Sequence, residues 1–73
     1  MNTEKKTGVI RFFKEEKLYG FIRPDDGGED VFVSFGTLRR SGYDSIEKNE
    51  KVSYDVKIGK NNKMEALTIK KLN

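Results

Sequence analysis

Two short segments, Leu18-Tyr19-Gly20-Phe21-Ile22-Arg23 and Asp30-Val31-Phe32-Val33-Ser34-Phe35, decide how this chain folds. Each alternates with the two-residue period of a β-strand. Pro24, which has no N–H to give a ladder, ends the first, and Asp25-Asp26-Gly27-Gly28 supplies a turn between them. In the first strand Tyr19, Phe21 and Arg23 point one way and Gly20 and Ile22 the other. In the second, Phe32 and Ser34 oppose Val31 and Val33. A lone Phe in a strand normally belongs to the core. Here the aliphatic and aromatic sets cannot share a face without a bulge, and the compact β-branched set makes the better core. Ile22, Val31 and Val33 are therefore expected inside. Tyr19, Phe21 and Phe32 face solvent beside Lys17 and Arg23, with Phe12 or Phe13 extending the row.

Outward from these segments the same period recurs, and helical periodicity is nearly absent. Gly8 to Lys14 reads as a strand before them. Lys51 to Ile58 reads as one after them, with Val52, Tyr54, Val56 and Ile58 on one face and Ser53, Asp55 and Lys57 on the other. A turn through residues 59–63 leads to a fifth strand, Glu65 to Leu72. The connection from Gly36 to Asn49 is long, anchored by Leu38 and Ile46, with one short helical turn expected near Thr37 to Arg40. Five strands with one long crossing between the third and fourth fit a small all-β barrel, a single domain over residues 1–73.

Composition narrows the chemistry. Leu, Ile, Val and Phe supply 19 of 73 residues, enough for a modest core. The chain has no Cys and no His, which removes disulfides, thiolate nucleophiles, sulfur-ligated zinc, the usual neutral-pH base and the commonest metal ligand. Glu15 and Glu16 read as a solvated turn. Asp25, Asp26, Glu29 and Asp30 match no calcium-loop spacing. No enzyme activity, cofactor, metal or small-molecule substrate is expected. No apolar run is long enough to span a membrane and the first residues lack a signal-peptide h-region, so a soluble cytoplasmic protein is expected. The net charge of +3 permits nucleic-acid binding without demanding it. An aromatic sheet face flanked by Lys and Arg is a stacking platform for unpaired bases. Its other reading is an apolar patch that docks a partner chain. Arg39 and Arg40 read either as phosphate contacts or as a solvated pair.

The run Gly8-Val9-Ile10-Arg11-Phe12-Phe13-Lys14-Glu15-Glu16-Lys17-Leu18-Tyr19-Gly20-Phe21-Ile22, followed by Val31-Phe32-Val33-Ser34-Phe35, closely resembles the bacterial cold-shock protein family. The likeness continues through Ser41-Gly42-Tyr43 and Ala66 to Ile69. It implies a five-stranded antiparallel OB-fold barrel that binds single-stranded RNA or DNA with little sequence specificity. It also implies an RNA chaperone needing no ATP, a regulator of transcription or translation, and a role in the stress response. Carried over by position, the binding surface is Arg11, Phe12, Lys17, Tyr19, Phe21, Asp30, Phe32, Phe35 and Tyr43, with Ser34 reduced in role. The chain departs from the family pattern in that Phe12 replaces Trp, Lys14 Asn, Leu18 Gly and Ser34 His, and its turn at Lys60 to Lys63 lacks the common Gly-Pro. An RRM, which would also offer an aromatic sheet, needs two packed amphipathic helices that this sequence lacks.

Overall fold

The computed structural model describes residues 5–59 and 62–72. Five strands, β1 (Lys5–Lys14), β2 (Tyr19–Pro24), β3 (Val31–Ser34), β4 (Lys51–Ile58) and β5 (Met64–Lys71), and one helix, α1 (Phe35–Arg40), make up its elements. The strands close into an OB-type barrel in the order β1-β2-β3-β5-β4. Neighbours pair antiparallel except at the closure, where β3 meets β5 in parallel through Phe32 and Glu65. The closure is parallel because the chain crosses the barrel end through α1 and the following loop before β4 and β5 begin. Strand β1 is long enough to serve two neighbours: Lys5 to Val9 pair with β4, and Gly8 to Lys14 with β2.

Alternation sets the core as the sequence predicts. Ile22, Val31 and Val33 are buried, joined by Ile10, Leu38, Ile46, Val52, Tyr54, Ala66 and Ile69. Leu38 and Ile46, the two apolar anchors of the long connection, plug the barrel from α1 and the loop after it. The β4 pattern departs from strict alternation. A register shift between Asp55 and Val56 breaks the period, so Val56 only partly packs on the core and Ile58 is 67% exposed. Ser53, with a short side chain held between Thr7 and Lys70, is buried despite its outward register.

The helix starts two residues earlier than the sequence suggests, and Ser34 caps it. The Ser34 hydroxyl accepts from the Thr37 N–H at 3.2 Å and donates to Thr37 Oγ1 at 3.2 Å, while Thr37 donates on to the Ala66 carbonyl. The cap thus ties β3, α1 and β5 together beside the barrel closure.

Candidate nucleic-acid interface

A β-bulge builds this face. Strict alternation along β1 would turn Phe12 inward after Ile10 and leave Phe13 outside. The β1–β2 register instead slips between Ile10 and Phe12, so that Phe12 stands opposite Phe21 and Phe13 opposite Gly20. Phe12 therefore joins the outer face, and Phe13 packs against the core. Gly20 is what admits Phe13: a Cβ there would collide with the Phe12 carbonyl and the Phe13 ring.

Four half-buried rings result, each touching the next. Phe12 and Phe21 meet with centroids 5.7 Å apart, Phe21 and Phe32 at 5.8 Å, and Tyr19 and Phe21 at 6.0 Å, all edge to face. Tyr19 and Phe32 lie 5.8 Å apart and stacked, at 28°. Cross-strand register produces the set, since Phe12, Phe21 and Phe32 stand directly opposite one another on β1, β2 and β3. Such contacts fix the ring positions before any ligand arrives.

Cations frame the rings. Lys14 Nζ lies 5.9 Å from the Phe12 centroid, and Lys17, in the turn before β2, and Arg23, near its end, are exposed. Arg11 is exposed and pairs with Asp30, Nε to Oδ2 3.5 Å, which joins these two predicted site residues across the face. Lys60, a further candidate rim cation by its charge, lies outside the described residues.

Phe35, Tyr43 and Ser34 have other engagements. Phe35 is half-buried on the core, out of ring contact with the row, with the Arg39 guanidinium 5.7 Å from its centroid. Tyr43 also packs on the core. Its hydroxyl accepts from the Lys71 N–H at 3.0 Å, and Lys71 Nζ covers its ring at 4.9 Å. Ser34 lies opposite Tyr19 in the register, but its hydroxyl is spent on the helix cap. Neither Arg39 nor Arg40 is a bare solvated charge: Arg39 also reaches Asp44 at 3.8 Å, and Arg40 donates to Thr37 Oγ1 and the Leu67 carbonyl.

Among the acidic turn residues, Asp26 accepts from the Gly28 N–H at 2.9 Å and pairs with Lys6. The Gly28 bond first, and then Lys6, hold its carboxyl below the usual value of 3.8. Asp25 accepts from the Thr7 hydroxyl at 2.8 Å. These bonds give the cluster a structural job at the β2–β3 turn.

The sequence reading misses one feature. Beyond Phe21 and Phe32 the face drops into a groove of about 710 Å³, bounded by Glu29 and Asp30 on one side and Met64 and Glu65 on the other. It exists because closure brings β5 against β3, a long-range pairing with no local sequence signal.

A family model, the 'Cold-shock' DNA-binding domain, matches residues 6–72. The cold shock-like protein CspA of Bordetella pertussis is 43% identical over 54 residues, covering 74% of this chain and 81% of its own. The cold shock-like protein CspG of Escherichia coli K12 is 37% identical over 57 residues, covering 78% of this chain and 81% of its own. Glycine-rich protein 2 of Nicotiana sylvestris is 35% identical over 66 residues, covering 90% of this chain but 31% of its own. Among solved structures, drosophila Unr CSD456 has the same fold, with a TM-score of 0.75 at 24% identity over 99% of this chain; the chain spans 28% of that structure's length. No helix among the described residues is long and apolar enough to cross a membrane.

Proposed function

Because the chain belongs to the cold-shock domain family, whose members bind nucleic acid and are not enzymes, we propose that the outer face of β1, β2 and β3 is where it holds a single strand of RNA or DNA. The observation that carries this reading is the contiguous row of Phe12, Tyr19, Phe21 and Phe32 on a solvent-facing sheet. Each stacked base contributes about 1–3 kcal/mol and every base has a π-face, so binding tolerates many sequences. Lys14, Lys17, Arg23 and Arg11 follow the phosphates. On this reading Phe35 and Tyr43, each with a cation over its ring, extend the surface for a longer strand.

Function follows from modest affinity. Stacking gains are offset by the cost of ordering a flexible strand, so a bound segment stays unpaired yet a ribosome or polymerase displaces it. We therefore read residues 1–73 as one cytoplasmic domain acting as an RNA chaperone without ATP, with regulation of transcription or translation as a consequence.

The test is a titration of the protein with oligo-dT and with heteropolymeric RNA at several salt concentrations. Contact with about four phosphates gives a slope of log K against log[salt] near −3, about −0.7 per contact. No binding, or a slope of zero, overturns the reading and leaves the face to a protein partner.

A further inference from the structure

We propose that Lys71 is a positioning residue for nucleic-acid binding: it clasps Tyr43 to the edge of β5, so that the Tyr43 ring is already in place when a strand longer than the four-ring row reaches it. The inference rests on the reading of Tyr43 as part of the binding surface.

The clasp follows from the way the barrel closes. Strand β3 meets β5 only at Phe32 and Glu65, so the rest of that edge has no strand beside it among the described residues. Backbone N–H groups along a strand alternate in direction, and each needs an acceptor. The Leu72 N–H goes to the Lys51 carbonyl on β4. Those of Ile69 and Lys71 point the other way and meet side chains, Ser41 Oγ at 3.0 Å and the Tyr43 hydroxyl at 3.0 Å. Both pairs are two residues apart, so the segment after α1 follows β5 as a strand would, but through side chains.

Lys71 holds Tyr43 twice. Its N–H donates to the hydroxyl, and its ammonium lies 4.9 Å from the ring centroid. That ammonium is anchored in turn by Glu50 Oε2 at 3.7 Å, the two side chains being 29% and 18% exposed. Glu50 Oε1 accepts from the Glu47 N–H at 3.1 Å, which fixes the anchor. A cation partly withdrawn from water holds a ring more firmly than an exposed one. Phe12, Tyr19, Phe21 and Phe32 fix one another by contact, whereas Tyr43 touches no other ring among the described residues. Lys71 does for Tyr43 what neighbouring rings do for the row. A ring ordered beforehand spares the strand the cost of ordering it. By linkage, a strand that binds the clasped ring better must also hold the clasp shut.

The experiment compares dT4, one base for each ring of the row, with dT7, which has three bases more. Lys71→Met removes the ammonium and keeps an unbranched stem. It should weaken dT7 binding about three- to tenfold, the worth of ordering one side chain in advance, and leave dT4 within about twofold. Lys71→Arg, which restores a cation over the ring, should recover most of the loss. Tyr43→Phe, which drops the hydroxyl bond without changing charge, should also weaken dT7. Positioning leaves the salt slope of dT7 unchanged in Lys71→Met, whereas a direct phosphate contact lowers it by about 0.7. In the parent, exchange of the Lys71 amide hydrogen should slow when dT7 binds and not when dT4 binds. That measurement needs no variant, and circular dichroism with thermal melting establishes that the variants are folded. Parent-like dT7 binding in Lys71→Met overturns the proposal, as does an equal loss on both oligonucleotides, a slope lowered by about 0.7, or amide exchange indifferent to dT7. If Tyr43→Ala leaves dT7 binding intact, it is instead the reading of Tyr43 as part of the surface that falls. If Tyr43→Ala weakens dT7 while Lys71→Met does not, only the positioning role falls.

Discussion

Leu18 has φ 63°, in the left-handed region, at the end of the β1–β2 turn, with its N–H bonded to the Lys14 carbonyl at 2.8 Å. An L side chain there costs about 1–2 kcal/mol, which is the physical reason the cold-shock pattern has Gly at this position. Its side chain is 54% exposed, so little packing is lost with it. Leu18→Gly should raise stability by about 0.5–1 kcal/mol, strain relief less the added freedom of glycine in the unfolded chain. The urea midpoint should rise with an unchanged slope; a lower midpoint would show that Leu18 packs on the platform edge. Ser34 poses a different trade. Ser34→Ala removes the cap of α1 and should cost about 0.5–2 kcal/mol of stability while leaving oligonucleotide affinity unchanged. Ser34→His gives up the same cap for a ring opposite Tyr19, tightening binding by at most about 1–2 kcal/mol, one stack's worth. The parent has no His or Cys, so its affinity at fixed ionic strength should be flat between about pH 5.5 and 7.5, whereas the His variant gains a pH dependence near about 6.5. Paired pH titrations with one oligonucleotide decide it, and an unchanged affinity in the variant would place position 34 off the nucleic-acid path.

At the scale of elements, β2 and β3 divide the work between two faces. Phe21→Ala or Phe32→Ala should weaken oligonucleotide binding by about 1–3 kcal/mol each, with a stability loss below the roughly 3–5 kcal/mol of a buried Phe. Val33→Ala, in the core, should cost stability and spare binding. If Phe21→Ala unfolds the protein while affinity per folded molecule holds, the faces have been assigned the wrong roles. This division was legible in the sequence because it follows from period two alone: Ile22, Val31 and Val33 could not share a side with Tyr19, Phe21 and Phe32. Strand β4 was legible in its bounds, Lys51 to Ile58, but not in its far end, where the Asp55–Val56 irregularity turns Ile58 to solvent. Alternation alone could not choose between Phe12 and Phe13, for the same reason, and only the family resemblance put Phe12 on the outer face. The choice depends on a bulge in β1 whose position is set by pairing to β2, not by the residues of β1 themselves. Glu65 and the groove lay further out of reach, since they arise from contact between strands more than 30 residues apart in sequence. What the sequence could not convey about Ser34 is its partner, Thr37, because a strand residue becomes a cap only once α1 starts directly after it.

At the scale of the molecule, the largest fully buried side chain among the described residues is Tyr54, 1% exposed in the core, and its hydroxyl has no hydrogen-bond partner among them. An orphaned buried hydroxyl costs about 1–3 kcal/mol. Tyr54 stands opposite Lys6 on β1 and Ile69 on β5. Burial, first, and then the negative charges of Asp26 and Asp25 push its pKa from 10.0 to about 12. The folded state therefore holds this proton where the unfolded chain has released it. With a folded pKa above the unfolded one, the contribution is complete below about pH 10. It is lost progressively as pH rises toward about 12, where ionising the buried phenol draws the equilibrium to the unfolded chain. A shift of that size corresponds to about 2–3 kcal/mol, a large share of the roughly 4–11 kcal/mol expected for a domain this small. Tyr54→Phe keeps the ring, deletes the orphaned hydroxyl and removes the ionisation. It should be at least as stable as the parent at pH 7 and should lose less stability between pH 9 and 12. The two proteins differ only at this one hydroxyl, so the informative quantity is the difference between two sets of urea curves across that range. A difference constant with pH would mean that the Tyr54 hydroxyl reaches water in solution and titrates as an ordinary phenol. A Phe variant less stable at pH 7 would mean that the hydroxyl has a partner worth more than its burial costs.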